Sequence, residues 1–432
     1  MNSRKFWLMV LILAITTTIT FAQTSTAPAQ LTELINKAFD NYPKLKEGGE
    51  YVKLSDAKVD LAYGAYMPVI NADASYRFAK PTPEIEIPIP GFESKIAFVP
   101  ANNYDFALKL SQPIYDFGRT QANINKVKSE AATSKDNLEN SKNSLAYQVA
   151  QIYYGIEFLN KSIDVQNEQI KLLDANEKLI SDRLKDGDAL KFDLLSTQVK
   201  NNSAHNRLID LQNQLRKQYQ LLNMLTGNSG EGYITNKDID VNLLDAAAVT
   251  PDNNFDVKLI QDKLTSATWD VKIAKRGWLP SLALNAQAGY KNGFVPDINK
   301  LMFNYGVGVG LNVPIFTSVR PNYQTKIAKI NLQAGTYALE AQKLTLNKDI
   351  VQAQSDISAN TDKLANYELQ INQADEALKL ADARYKGGVI TNLELLTAQT
   401  NLQDAQLGKI QLQYNLLISK LELNRLGSIK FW

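Results

Sequence analysis

Two hydrophobic periodicities run along this chain, and each of them occurs twice. From Val69 to Phe78, Ile70, Ala72, Ala74, Tyr76 and Phe78 alternate with Asn71, Asp73, Ser75 and Arg77. From Asn103, Tyr104, Phe106, Leu108 and Leu110 alternate with Asp105, Ala107, Lys109 and Ser111. Leu282, Leu284, Ala286, Ala288 and Tyr290 stand against Ser281, Ala283, Asn285, Gln287 and Gly289. Tyr305, Val307, Val309, Leu311 and Val313 stand against Asn304, Gly306, Gly308, Gly310 and Asn312. A period of two predicts strands at about 69–78, 103–115, 281–291 and 303–316, each with an apolar and a polar face. Such strands fit the wall of a transmembrane barrel, and fit equally an antiparallel sheet laid over a soluble core. Four strands cannot enclose a lumen, so the membrane reading requires several chains.

The second periodicity is helical. Ile124, Ala131, Leu138, Leu145, Ile152, Leu159, Gln166, Leu173 and Ile180 fall seven apart, and only Gln166 is polar. The later stretch supplies Ile350, Ile357, Leu364, Ile371, Leu378 and Tyr385 at the same spacing. A sustained seven-residue repeat specifies helices supercoiled against neighbours. Long helices are expected at 118–185 and 318–385, each roughly 100 Å at 1.5 Å per residue. Each ends in a glycine turn, Asp186-Gly187-Asp188 or Gly387-Gly388-Val389, where a positive φ is expected at Gly187, Gly387 and Gly388. Return helices follow at about 189–226 and 390–426.

The chain therefore says everything twice. Ser111-Gln112-Pro113-Ile114-Tyr115 answers to Asn312-Val313-Pro314-Ile315-Phe316, Arg183-Leu184-Lys185-Asp186-Gly187 to Arg384-Tyr385-Lys386-Gly387-Gly388, and Asp193-Leu194-Leu195 to Glu394-Leu395-Leu396, all at an offset of 201. A period this long is not a solenoid's. Residues 23–226 and 255–432 read as two copies of one unit: strand, strand, long helix, tight turn, return helix. Residues 227–254, with Gly227, Gly230, Gly232 and Pro251, read as the linker between them. Between the first two strands, Ala79 to Asn102 carries five prolines and reads as an irregular loop; the second connector is shorter.

Composition narrows the choices. Arg4 and Lys5 precede an apolar run from Phe6 to Ile15, with small residues before a cut after Ala22, so 1–22 read as a secretory signal. The run is about half of the ~20 residues a spanning helix needs. The full chain has 47 Lys+Arg and 45 Asp+Glu, and losing Arg4 and Lys5 leaves the two signs balanced, which gives no electrostatic footprint for nucleic acid. Zero cysteines exclude disulfides, thiolate metal sites and a Cys-linked lipid anchor. Later segments are too polar to span a bilayer as helices, so entry into a membrane requires a closed β-barrel. The sole histidine, His205, lies close to Ser203 and Asp210 on one helix, a spacing that cannot adopt a hydrolytic triad's geometry. No catalytic, cofactor or metal site is expected.

With Met67-Pro68 and Leu279-Pro280 before the odd-numbered strands, and the segment Arg384-Tyr385-Lys386-Gly387-Gly388-Val389-Ile390-Thr391, the mature chain resembles the TolC-like outer-membrane efflux proteins. The resemblance implies a mostly α fold with a membrane β-barrel: a homotrimer whose twelve strands form one barrel in outer-membrane lipid, continued by a periplasmic α-helical barrel. It implies a passive exit duct for efflux or type I secretion, docked by its tips to a periplasmic adaptor and an inner-membrane pump in which cargo specificity resides. The implied adaptor-contacting tips are Lys185, Gly187, Lys386, Gly387, Gly388, Val389 and Ile390. The implied pore gate is Asp193, Tyr385 and Glu394, each acid six residues past a turn glycine. Ile390 stands where a gate-tying arginine occurs in the family, and Thr397 where a second acidic ring occurs. Thr391 with Glu394 also reads as a helix-capping box, so Glu394 has two competing roles. A periplasmic coiled-coil scaffold without a channel is the alternative; it keeps the helices and has no use for four two-faced strands.

Overall fold

The computed structural model describes residues 28–89, 92–234, 241, 249–316 and 319–432. The secretory signal read at 1–22 lies outside them, as does most of 235–248 in the linker. In chain order the elements are α1 (Ala29–Asn41), α2 (Pro43–Tyr63), β1 (Val69–Phe78), β2 (Glu84–Ile89), β3 (Phe92–Ala97), β4 (Asn102–Tyr115), α3 (Arg119–Asp186) and α4 (Lys191–Thr226). They continue with α5 (Phe255–Arg276), β5 (Ser281–Lys291), β6 (Met302–Asn312), α6 (Arg320–Lys386) and α7 (Asn392–Leu426). The fold is mostly helical with a small sheet. Among the described residues, no helix is long and apolar enough to cross a membrane.

Two compact units emerge. One comprises Glu47–Asn140 and Phe255–Leu344 and holds the whole sheet. Its strand order is β1-β4-β5-β6, antiparallel throughout. The ladder places apolar opposite apolar, as in Ala72–Leu108, Phe106–Tyr290 and Leu284–Val309, so period-two patterning sorts one face from the other. The apolar face has nothing over it: Tyr305 is 78% exposed and Val307 73%. The polar face carries a Lys109–Asp73 ion pair at 3.4 Å. At the start of α3, Asp116 accepts hydrogen bonds from the Gly118 and Thr120 amides, and Arg276 of α5 donates to the Gly118 carbonyl at 2.6 Å.

Two expectations need correction in this unit. The connector after β1 is no irregular loop: β2 and β3 form a two-stranded antiparallel ribbon, with Pro88 opposite Glu93. Prolines mislead here because a two-stranded ribbon leaves one side of each strand unpaired, where a missing N–H costs nothing. The last strand, expected to reach 316, ends at Asn312, because β6 is a sheet edge with no ladder on its far side. Helices α1, α2 and α5 had no counterpart in the periodicity reading.

The other unit comprises the chain up to Lys46, Ser141–Asn254 and Thr345–Trp432. Here α1 buries Leu31, Leu34, Ile35 and Ala38, one face of a helix, and contacts α4. The heptad stripe of α3 turns inward through Leu145, Leu159, Leu173 and Ile180. Its one polar member, Gln166, is 1% exposed and bonded through both ends of its amide: the nitrogen donates to the Ala204 carbonyl at 3.0 Å and the oxygen accepts from Gln403 at 2.9 Å. A buried amide without such partners would destabilise the helix pair by ~1–3 kcal/mol. The matching stripe of α6 is different: Ile357, Leu364, Ile371 and Leu378 stay half-buried, and Leu369 and Leu380 nearby are exposed.

Candidate functional site at the helical tips

Both long helices end in the same backbone device. At the α3 terminus the Asp188 amide donates to the Arg183 carbonyl at 2.8 Å and Gly187 has φ +85°. At the α6 terminus the Val389 amide donates to the Arg384 carbonyl at 2.9 Å and Gly388 has φ +70°. This six-to-one bond around a left-handed residue satisfies helix-terminal carbonyls, and glycine adopts it without strain. The expectation of positive φ at Gly387 is corrected. Gly387 is equivalent to Asp186, one position before the left-handed residue, and its amide still bonds the Ala383 carbonyl at 3.2 Å.

The two turns are tied by a residue the sequence reading left without a role. Arg183 donates to the carbonyls of Tyr385, at 3.2 Å, and Lys386, at 2.9 Å, and its guanidinium lies 5.1 Å from the Tyr385 ring centroid. Tyr385 sits in a buried cluster with Ile180 and Leu395, against which Leu194, Leu378 and Ile390 pack. Burial raises the Tyr385 phenol above its ordinary pKa, and the Asp193 carboxylate adds to the rise while Arg183 opposes it. Thus Arg183, Asp193 and Tyr385 share one electrostatic neighbourhood. Deeper in, the Asn392 amide donates to the Thr197 hydroxyl at 2.9 Å and its oxygen accepts from Asn176 at 3.0 Å, a second polar lock between the hairpins.

Asp193 and Glu394, equivalent by the repeat, have unlike surroundings. Thr391 caps α7: its hydroxyl accepts from the Glu394 amide at 3.3 Å, and the Glu394 carboxylate accepts from the Thr391 amide at 2.7 Å. These bonds hold the Glu394 carboxyl below its ordinary pKa. The capping box is formed. At Asp193 no such box exists, because the capping position of α4 is Leu190. Asp193 is half-buried in the first turn of α4, where its charge offsets the helix dipole.

The outward surface of the tips is apolar between ion pairs. Lys185 pairs with Asp182 at 2.9 Å and Lys386 with Asp382 at 2.7 Å. Val389 is exposed, and so are Leu190, Phe192 and Leu393. Ile390 instead packs inward. Phe192 and Leu393 were missed by the sequence reading, although the same 201-residue offset pairs them. Among the described residues no group of acidic or histidine side chains is placed to hold a metal, and His205 is exposed.

The sequence matches the outer membrane efflux protein family over residues 34–228 and 250–427. It is 21% identical to the outer membrane protein TolC of Vibrio cholerae over 409 residues, which cover 91% of this chain and 90% of that protein. It is 26% identical over 301 residues to the toxin and drug export protein A of Aggregatibacter actinomycetemcomitans, a match that spans 66% of this chain and 64% of that protein. The solved structure of VceC, an outer membrane protein of Vibrio cholerae, superposes with a TM-score of 0.77 at 20% identity, covering 94% of this chain and 97% of that one.

Proposed function

The chain belongs to the outer membrane efflux protein family, and from that premise we propose how its parts work as a channel subunit. It is an outer-membrane channel component of an efflux or secretion system. Three copies bring together their four-stranded sheets as twelve strands of one barrel, apolar face to lipid and polar face to the lumen. The observation that carries this is the sheet itself: two unpaired edges and an apolar face exposed along its length, which in water alone would aggregate. A coiled-coil scaffold has no place for such a face.

The half-exposed heptad stripe of α6 is the helical counterpart, a surface awaiting a second copy. Asp193 with Tyr385 forms the acidic constriction of the gate, while Glu394 contributes charge and caps α7. The tips Lys185, Gly187, Lys386, Gly387, Gly388, Val389 and Ile390, with Phe192 and Leu393 added, present an apolar patch to a periplasmic adaptor bound to an inner-membrane pump. Export to the outer membrane proceeds by the amino-terminal signal.

Light scattering of the detergent-extracted protein tests the assembly. A trimer is expected, and a monomer in mild detergent, or full recovery in a salt wash without detergent, overturns it.

A further inference from the structure

At the ribbon end of the sheet the polar face holds charge that it does not neutralise itself. The ladder sets Ser75 opposite Asp105 and Asp105 opposite Lys291, with Arg77 one polar position further along β1, opposite Asn103. Asp105 therefore stands on the strand between two cations. Further down the same face Lys109 and Asp73 pair at 3.4 Å, whereas neither Arg77 nor Lys291 joins an ion pair. Lys291 leans instead toward Phe294, 5.2 Å from the ring centroid.

These charged groups line a cleft of about 560 Å³ whose apolar side is made by Phe98, Val99, Pro100 and Phe294. That volume is in the range of small-molecule sites. Its walls are pinned. The Asn292 side chain accepts from the Tyr104 amide at 2.8 Å and donates to the Asn102 carbonyl at 2.6 Å, and Asn103 donates to the Pro100 carbonyl at 2.9 Å. Gly293, at φ +100°, donates its amide to the Ile298 carbonyl at 2.8 Å. The amide donors are thus spent on backbone, and the strongest groups left to meet a ligand are charged.

We propose that this cleft binds an amphipathic organic monoanion, its charged head between Arg77 and Lys291 and its apolar body against Phe98, Val99 and Phe294. Two strand spacings across and two residues along separate the Cα atoms of Arg77 and Lys291 by roughly 12 Å, a gap that two long side chains close on one oxyanion. The Arg77 fork suits a carboxylate or sulfonate, which takes two parallel N–H bonds. Asp105 beside the head repels a second negative charge, so the site prefers one anionic group to two. Phe98 is 39% exposed and Val99 38%, apolar surface that the ligand's body would cover. The pinned walls leave little to be ordered on binding. The site is complete within one chain and goes beyond the duct proposed above, since neither the tips nor the gate takes part in it.

Calorimetric titration of the protein in a neutral detergent tests it, with naphthalene sulfonate as the probe and naphthyl trimethylammonium as the same apolar body with the opposite charge. The sulfonate should bind saturably and the ammonium should not. Arg77→Gln with Lys291→Gln should weaken the sulfonate at least about tenfold, through the loss of charge-assisted bonds. The melting temperature should stay the same, because neither cation is ion-paired in the fold. Asp105→Asn should tighten the sulfonate and admit naphthalene disulfonate. Equal affinity of the parent for the two probes would reduce the cleft to bare apolar surface and overturn the proposal, and so would sulfonate binding unchanged in the double variant. A monomer that binds the sulfonate in this way removes the ring of three and leaves the site standing.

Discussion

Arg183 grips the far end of α6 by the backbone of Tyr385 and by its ring at once, with hydrogen bonds to the carbonyls of Tyr385 and Lys386 and the guanidinium 5.1 Å from the ring centroid. A charged donor on helix-terminal carbonyls offsets the negative end of the helix dipole. Arg183→Ala should therefore loosen the second tip by about 1 kcal/mol. Hydrogen exchange of the Gly388 and Val389 amides should speed up several-fold, with that of α1 unchanged. Unaltered exchange at both amides would mean the contact holds nothing.

The neighbouring glycines of the second turn should respond differently to the same change. Gly388 is left-handed, and Gly388→Ala should cost about 1 kcal/mol. At Gly387 an added Cβ meets only ordinary contacts, 3.5 Å to the Arg384 carbonyl, so Gly387→Ala should be neutral or slightly stabilising. Thermal unfolding of the two variants side by side decides it, and equal losses would contradict the assignment.

The acids near the tips should differ in what their neutralisation removes. Asp193→Asn should reduce cation preference in planar-bilayer recordings and cost at most about 1 kcal/mol of stability, because Asp193 closes no capping box but lies in the first turn of α4. Glu394→Gln keeps the reach of the capping box and should also reduce cation preference, whereas Thr391→Ala should lower stability and spare selectivity. Tyr385→Phe should raise single-channel conductance. Wild-type selectivity in an Asp193→Asn, Glu394→Gln double variant would rule out an acidic gate.

In the sheet-bearing unit, Asp262 on α5 faces Asp136 on α3, which also binds Lys258 at 2.7 Å. Burial, with the Asp136 carboxylate beside it, pushes Asp262 up to about 6 from 3.8. The folded state thus holds the proton more tightly than the unfolded chain. Its stabilising contribution is complete below about 3.8 and is lost as the pH rises through 6. Asp262→Asn should unfold at a higher temperature than the parent at pH 7, the gap closing near pH 4. A gap of the same size at both would show that Asp262 does not titrate in this range.

The strands were legible because alternation over ten residues has few other causes, as β1 illustrates from Ile70 to Phe78. The long helices were legible because a seven-residue stripe survives one polar member at Gln166. Helix α1 was overlooked although Leu31, Leu34, Ile35 and Ala38 carry its pattern, since it spans fewer than two heptads and ends at a proline. At the tips, glycine marked the turns, but which of Gly387 and Gly388 goes left-handed is set by the bond from Val389 to Arg384. Arg183 could not be read at all: its partners lie 202 and 203 residues away.

The ribbon of β2 and β3 has a consequence for how such a wall can change. Strand β1 maps onto β5 at 212 and β4 onto β6 at 201, so the whole discrepancy between the copies is confined to the connector between paired strands. The ladder takes no part in it. Closing a connector of twice the length costs only ~0.6 kcal/mol, so this rim can gain or shed sequence almost freely. In the proposed ring of three chains, long ribbons and short connectors would alternate, giving a three-fold crown on a wall whose strands repeat six times. Whatever meets that crown can drive its variation without disturbing a single strand pairing beneath it.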